Sequence, residues 1–174
     1  RTKPDIAAPG TFIASTRSSV ASGTGWGTID ADYMYMGGTS MATPLTTGAA
    51  TLVRDYFETV QFYAPSAAMM KATLVNGATD IYPGQYGGGA TQEIPRTRPS
   101  MQAGWGRVNV EQSLFPAADR STWYWDTTST LMSDLNTLST GDVSQYTVEI
   151  SDSEPFSATL AWTDYPGSPS VQGG

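Results

Sequence analysis

The chain contains 174 residues, of which 39% are hydrophobic and 14% charged, and its net charge is −7. This composition indicates a folded core rather than a disordered chain, and the negative charge argues against nucleic acid or an anionic membrane surface as a partner. The absence of cysteine excludes disulfides and thiolate metal sites. No apolar run approaches the roughly 18 residues that cross a bilayer, so we expect no membrane partner.

The first part of the chain is predicted to alternate short strands with turns. Residues 5–10 read as a strand that ends at a Pro-Gly turn, and residues 12–16 read as a second strand. Residues 18–32 are rich in Ser, Gly, Thr and Asp, which predicts a surface loop. The apolar residues 33–36 predict a third strand, which ends at two consecutive glycines.

A helix is predicted to begin at Ser40, because apolar residues recur at intervals of three or four from Leu45 to Tyr56. Small residues fill most of the remaining positions, so we expect this helix to be buried on all sides. We expect Pro44 to lie in the first turn, where its missing N–H removes no hydrogen bond.

A second helix is predicted over residues 65–77, with Ser66 as its N-cap and Gly77 at its end. The glycine-rich, polar residues 80–102 follow, and they lack the spacing of a phosphate-binding loop. We therefore predict a long surface loop there.

After residue 115 the pattern becomes strand-like, with apolar residues alternating over residues 145–150 and 156–163. Two or three strands cannot form a stable sandwich. These segments therefore predict the start of an antiparallel β-domain whose remaining strands follow Gly174. Three consecutive aromatic residues could form a carbohydrate-stacking platform, although we expect them to pack where the two regions meet: Trp123, Tyr124 and Trp125.

The segment from Gly38 to Pro44, with the sequence Gly-Thr-Ser-Met-Ala-Thr-Pro, is the most informative motif. A serine between a glycine turn and a helix can expose its hydroxyl beside unpaired backbone N–H groups, which can bind an oxyanion. Together with residues 3–10, this segment closely resembles the subtilisin-like serine proteases, the subtilase family. The resemblance implies that Ser40 is the nucleophile and that the Ser40 N–H stabilises the oxyanion. The Thr39 hydroxyl either supports the same oxyanion hole or satisfies a local carbonyl.

Further segments resemble alkaline proteases of this family that carry a C-terminal jelly-roll-like domain. Together with the serine motif, they extend the resemblance over nearly the whole chain. The segments are Thr11-Phe12-Ile13, Tyr35-Met36-Gly37-Gly38, Gly104-Trp105-Gly106-Arg107-Val108 and Leu160-Ala161-Trp162-Thr163-Asp164. The implied fold is α/β, with residues 1–115 as the C-terminal part of a doubly wound catalytic domain. Residues 116–174 would be the incomplete beginning of an antiparallel β-sandwich domain.

The chain contains no histidine, although a triad serine needs a histidine base that a carboxylate orients. In the family the order is aspartate, histidine, serine, so we expect both partners, and the oxyanion asparagine, in an N-terminal portion that precedes Arg1. The resemblance then implies a secreted or extracellular endopeptidase that acts on polypeptides and needs no cofactor for its chemistry. We expect the 174-residue chain alone to be inactive.

Two alternatives remain open at this point. Ser40 could be a helix N-cap, which is far more common than a nucleophile, and the chain could be a non-catalytic, β-rich interaction fragment or pseudoprotease with a vestigial serine. We do not assign Asp5 to the triad, since it lies in the Lys-Pro-Asp segment and is expected to pair with Lys3 or with backbone N–H groups.

Structural calcium is possible because the family commonly binds it, but no regular ligand spacing marks a site. The acidic loop positions that could contribute are Asp30, Asp32, Asp80, Asp152, Glu154 and Asp164.

Overall fold

The computed structural model describes residues 2–20, 22–115, 121–127, 140–150 and 156–163. Among these residues, three short strands precede three helices. Their bounds are β1 Ile13–Thr16, β2 Gly27–Thr28, β3 Tyr33–Met36, α1 Thr39–Thr59, α2 Ala67–Asn76 and α3 Val110–Leu114. Within these described ranges, no helix is both long and apolar enough to span a membrane.

The three strands form one antiparallel sheet in the order β1-β3-β2. Strand β1 pairs with β3 in a register that sets Ile13 opposite Met36 and Thr16 opposite Tyr33. The strands predicted at residues 12–16 and 33–36 are therefore confirmed. The prediction of a loop over residues 18–32 was wrong at one place, since Gly27 and Thr28 add the edge strand β2.

Residues 5–10, predicted as a strand, form only a short parallel ladder. The Ala7 N–H donates to the Gly106 carbonyl and the Val108 N–H to the Ala7 carbonyl, each at 2.9 Å. Arg107 in turn pairs antiparallel with Thr79. Gly106 has a φ of 121° and would place a Cβ against the Thr79 backbone, so glycine is required for these strands to approach. This ladder ties the segment around Ala7 to residues 106–108.

Helix α1 is confirmed, but its predicted burial on all sides was wrong. Only Ala49, Val53 and Phe57 are buried, while Leu45 and Leu52 are 42% and 57% exposed. Small residues permit close packing but do not create it, because burial needs a neighbouring element on each side. Pro44 also lies beyond the first turn, since the helix begins at Thr39, and its missing N–H removes the usual i→i−4 bond to the Ser40 carbonyl.

Five of the six threonines of α1 bond to their own helix. The hydroxyls of Thr43, Thr46, Thr47, Thr51 and Thr59 each donate to the carbonyl four residues earlier, at 2.7–3.1 Å. Such bonds are an established alternative to hydration for threonine within a helix.

Helix α2 follows the predicted capping pattern. The Ser66 hydroxyl accepts from the Met69 N–H at 3.0 Å, and the helix ends at Gly77. Gly77 has a right-handed φ of −82°, so glycine is needed here for space: a Cβ would overlap Ser113 of α3. The three helices enclose the core, whose buried members are Ala49, Val53, Phe57, Met69, Leu74 and Leu114.

Residues 121–127 pack against these helices. The ring of Tyr124 meets Phe57 edge-on at 4.9 Å between centroids, and the buried carboxylate of Asp126 accepts from the Ser66 N–H at 2.7 Å. Burial raises the pKa of Tyr63 to about 12, and the charge of Asp126 adds to that rise. Tyr124 thus packs against α1, whereas Trp123 remains 58% exposed.

The strands predicted at residues 145–150 and 156–163 are not formed. A strand requires a hydrogen-bonded neighbour, and neither segment has one among the described residues. Residues 156–163 lie against α2 instead, where the Asn76 amide donates to the Thr159 hydroxyl at 3.0 Å. The mixture of helices and strands is compatible with an α/β fold, and the β-sandwich and the boundary at residue 115 stay predictions.

Candidate active site

Ser40 lies at the predicted junction between a strand and a helix. Strand β3 ends at Met36, Gly37 and Gly38 form the turn, and α1 begins at Thr39. Gly38 is the N-cap, with a φ of 138° that residues with a side chain rarely adopt. Ser40 is therefore the second residue of the helix, and it is exposed.

The backbone at this helix start offers unpaired donors. The N–H groups of Met41 and Ala42 both point to the Gly38 carbonyl, at 3.1 and 3.4 Å. Those of Thr39 and Ser40 have no acceptor in the part of the chain that the structure describes. Free N–H groups together with the positive end of the helix dipole favour a negatively charged oxygen beside Ser40.

The two hydroxyls at the turn are not used as helix caps. The N-cap is a glycine without a side-chain cap bond, so the interpretation of Ser40 as an N-cap was wrong. Neither the Ser40 nor the Thr39 hydroxyl bonds to another described residue. The Thr39 carbonyl accepts from the Thr43 hydroxyl. The turn therefore presents an exposed serine hydroxyl next to unpaired backbone N–H groups.

Asp5 belongs to an ion-pair cluster rather than to this turn. Its carboxylate pairs with Lys3, as predicted, and also with Lys71 at 3.0 Å. Burial alone would raise the pKa of Asp5, but hydrogen bonds from Lys3 and Lys71 hold it below its usual value.

Two of the acidic loop residues accept hydrogen bonds from backbone N–H groups. Asp30 accepts from the N–H groups of Asp32 and Tyr33, and Asp80 accepts from those of Tyr82 and Arg98. Among the described residues, no three acidic side chains gather where they could hold a metal ion. Asp152, Glu154 and Asp164 lie outside the described residues, so calcium stays a prediction.

Two residues that contact the turn were not predicted from the sequence. The Gly38 N–H donates to the Gly10 carbonyl at 2.7 Å, and the indole of Trp26 covers Gly37 so closely that a Cβ there would overlap the ring. Gly10 could have been suspected from its Pro-Gly turn. No sequence pattern indicated that Trp26 contacts the turn, since it is a single tryptophan in a polar segment.

Three proteins of Dictyostelium discoideum are similar to this chain. Serine protease/ABC transporter B family protein tagA is 29% identical over 186 residues, which cover 97% of this chain and 10% of that protein. The corresponding tagB protein is 31% identical over 144 residues, covering 70% of this chain and 8% of that protein. The corresponding tagD protein is 30% identical over 137 residues, which cover 66% of this chain and 8% of that protein. The chain spans about 10% or less of the length of these curated relatives.

A family model agrees with these relatives. The model described as the subtilase family, Peptidase_S8, matches residues 1–106, which include the exposed serine, its glycine turn and helices α1 and α2. This match covers more than half of the chain and bears out the resemblance of the Gly-Thr-Ser-Met-Ala-Thr-Pro motif. The chain belongs to the subtilase family.

Proposed function

We propose that this chain is the serine-bearing part of a serine endopeptidase that hydrolyses polypeptides through an acyl-enzyme on Ser40. The observation that carries the proposal is the exposed Ser40 hydroxyl at the start of α1, beside the unpaired N–H groups of Thr39 and Ser40. The names of the Dictyostelium relatives, which include "serine protease", support the same reaction.

The chemistry follows from this arrangement. The Ser40 oxygen attacks the carbonyl carbon of the scissile peptide while its proton passes to a base, and the carbonyl oxygen becomes an oxyanion beside the Ser40 N–H. The carbon–nitrogen bond then breaks, the amine leaves with the proton from the base, and an ester remains on Ser40. Water hydrolyses that ester and regenerates the serine.

The base must come from outside this chain, because the chain contains no histidine. We assign the histidine, the triad aspartate and the oxyanion asparagine to an N-terminal portion of the same enzyme, in line with the small fraction of the relatives that this chain matches. That portion would complete a doubly wound α/β sheet and cover the exposed sides of α1. In the same proposal, residues 116–174 begin a β-sandwich domain, the enzyme is secreted, and any calcium is structural.

The test is covalent labelling of the full-length protein by a fluorophosphonate probe. We expect the label on Ser40 and its complete loss in Ser40→Ala. Peptidase activity should fall by roughly 10⁶-fold, as it does when a triad serine is removed. Ser15→Ala, which removes an exposed hydroxyl from β1, is the matched control and should label normally. Labelling that persists in Ser40→Ala would refute the assignment, and an unlabelled wild-type protein would favour a pseudoprotease.

A complementation experiment tests the missing portion separately. Residues 1–174 alone should neither label nor hydrolyse peptides, because the Ser40 hydroxyl lacks a base. Adding a separately produced N-terminal portion should restore labelling at Ser40. Hydrolysis by the 174-residue chain alone would overturn this part of the proposal.

A further inference from the structure

Trp26 packs directly on the turn that carries Ser40. A Cβ built on Gly37 would overlap the Cη2, Cζ2 and Cζ3 atoms of the Trp26 indole, so the six-membered ring lies flat against this glycine. The Trp26 N–H also donates to the Tyr35 carbonyl at 2.8 Å. The tryptophan is thus tied to the end of β3 by its backbone and to the following turn by its side chain.

The same turn is held on another side by Gly10. The Gly10 carbonyl accepts from the Gly38 N–H at 2.7 Å, and a Cβ at Gly10 would come within 2.8 Å of the Gly38 carbonyl oxygen and 3.4 Å of the Ala42 Cβ. The backbones of Gly10 and Gly38 are therefore in direct contact, and neither segment can move closer to the other.

Phe12 packs against both Trp26 and strand β3. Its ring meets Trp26 edge-on at 5.4 Å and Tyr35 at 6.0 Å between centroids. Phe12 has a φ of 50°, a conformation that is rare and strained for a bulky residue. A strained backbone of this kind persists only where its surroundings fix it. The side chain that it directs onto the indole therefore belongs to a fixed arrangement around Gly37.

We infer that Trp26 is a positioning residue for catalysis, which fixes the Gly37-Gly38 turn and thereby the direction of the Ser40 hydroxyl. The inference rests on the proposed function of Ser40. Trp26 does not need to touch substrate for this role: one face of its indole covers Gly37, although the residue is 49% exposed. Without the indole, the Gly37-Gly38 turn would lose a contact that restricts its movement.

The inference is tested by kinetics on the full-length protein. In Trp26→Ala we expect kcat, and the rate of fluorophosphonate labelling at Ser40, to fall by about 10-fold to 100-fold, because small displacements of a nucleophile have effects of this size. KM should stay within about 2-fold, since substrate binding is not the step affected. Trp26→Phe, which keeps an aromatic ring of smaller reach, should be intermediate. Trp123→Ala is the matched control, because it removes an indole that is 58% exposed and contacts Trp125 instead of the turn.

A pair of variants at Gly37 tests the contact directly. Gly37→Ala should slow labelling, because the new methyl and the indole would occupy the same space. The double variant Gly37→Ala/Trp26→Ala removes that overlap and should label faster than Gly37→Ala alone. A purely additive result would contradict a direct contact between the two positions. If Trp26→Ala does not fold, the comparison of Trp26→Phe with wild type decides the matter: an unchanged kcat and labelling rate in Trp26→Phe would then refute the role of Trp26.

The outcomes separate this inference from the proposed function. If the wild-type protein is not labelled at Ser40, the proposed function fails. If it is labelled and Trp26→Ala keeps its kcat and labelling rate, only the role of Trp26 is refuted. A raised KM with unchanged kcat would likewise refute positioning, because it would show that Trp26 contacts substrate.

Discussion

Asp126 should stabilise the start of helix α2 from a distant part of the chain. Its buried carboxylate accepts from the Ser66 N–H at 2.7 Å, next to the Ser66 hydroxyl that caps the helix. A hydrogen bond to a charged group contributes about 1.5–3 kcal/mol, and its removal leaves the donor unpaired. We therefore expect Asp126→Ala to lower the free energy of opening of α2 by about 2 kcal/mol.

Hydrogen exchange measured by mass spectrometry on the full-length protein is the appropriate assay, because it reports the opening of one helix rather than global unfolding. A loss of about 2 kcal/mol corresponds to exchange roughly 30-fold faster, since each 1.4 kcal/mol is a factor of ten. The effect should be confined to the peptide that contains Ala67–Asn76. Asp126→Asn keeps an oxygen acceptor and should lose only about 0.3–1 kcal/mol from the weaker interaction with the helix dipole.

Asp55→Asn provides the control, because it removes a carboxylate from the exposed side of α1. Exchange of α2 should not change in this variant. If Asp126→Ala also left α2 exchange within about 3-fold of wild type, a contribution near 2 kcal/mol from this hydrogen bond would be refuted.

Three further results are expected. The pKa of Asp5 is lowered from 3.8 by its lysine partners, so its stabilising contribution is present above that pH and is lost as the pH falls through the lower folded-state pKa; urea titrations should show the difference between wild type and Asp5→Asn shrinking in acid. Oxidation of Met41, directly after Ser40, adds a polar oxygen near the oxyanion site; peroxide should partly inactivate the enzyme, and less so in Met41→Leu. Gly77→Ala would overlap Ser113 and should destabilise the α2–α3 contact by about 1–3 kcal/mol in hydrogen exchange.

Each of these results has an outcome that would contradict it. A stability difference between wild type and Asp5→Asn that persists at low pH would exclude the ion-pair cluster as its origin. Equal peroxide sensitivity of wild type and Met41→Leu would place the oxidised residue elsewhere. Gly77→Ala should be compared with Gly23→Ala, whose Cβ would meet nothing within 4 Å; equal effects of the two would argue against close packing at Gly77.

Local signals in the sequence were sufficient for the elements around the site. Ser66 capped its predicted helix, and the strand, glycine turn and helix around Ser40 formed in the predicted order. These features depend on a few neighbouring residues, so a short window of sequence contains their causes. The N-cap residue was harder to predict from the sequence, because it is the last residue before the helical backbone conformation begins. In the structure that residue is Gly38.

Long-range packing could not be predicted in the same way. The burial of α1 was overestimated because residue size says nothing about which element lies opposite. The contact of Trp26 with Gly37 joins segments that no periodic pattern relates, and so does the hydrogen bond from the Ser66 N–H to Asp126. The predicted strands at residues 145–150 and 156–163 have suitable alternation, but a strand also needs a partner.

The threonine hydroxyls of α1 change what its exposed sides offer to another surface. A free hydroxyl that is buried without a partner costs free energy, whereas a hydroxyl already bonded to its own backbone carries no donor that must be satisfied again. Thr43, Thr47 and Thr51 therefore present no unbonded hydroxyl donor at their exposed positions. An apolar element can therefore pack on these positions with little free-energy cost from desolvating the hydroxyls. Hydropathy calculated residue by residue counts each threonine as polar, and it overestimates that cost.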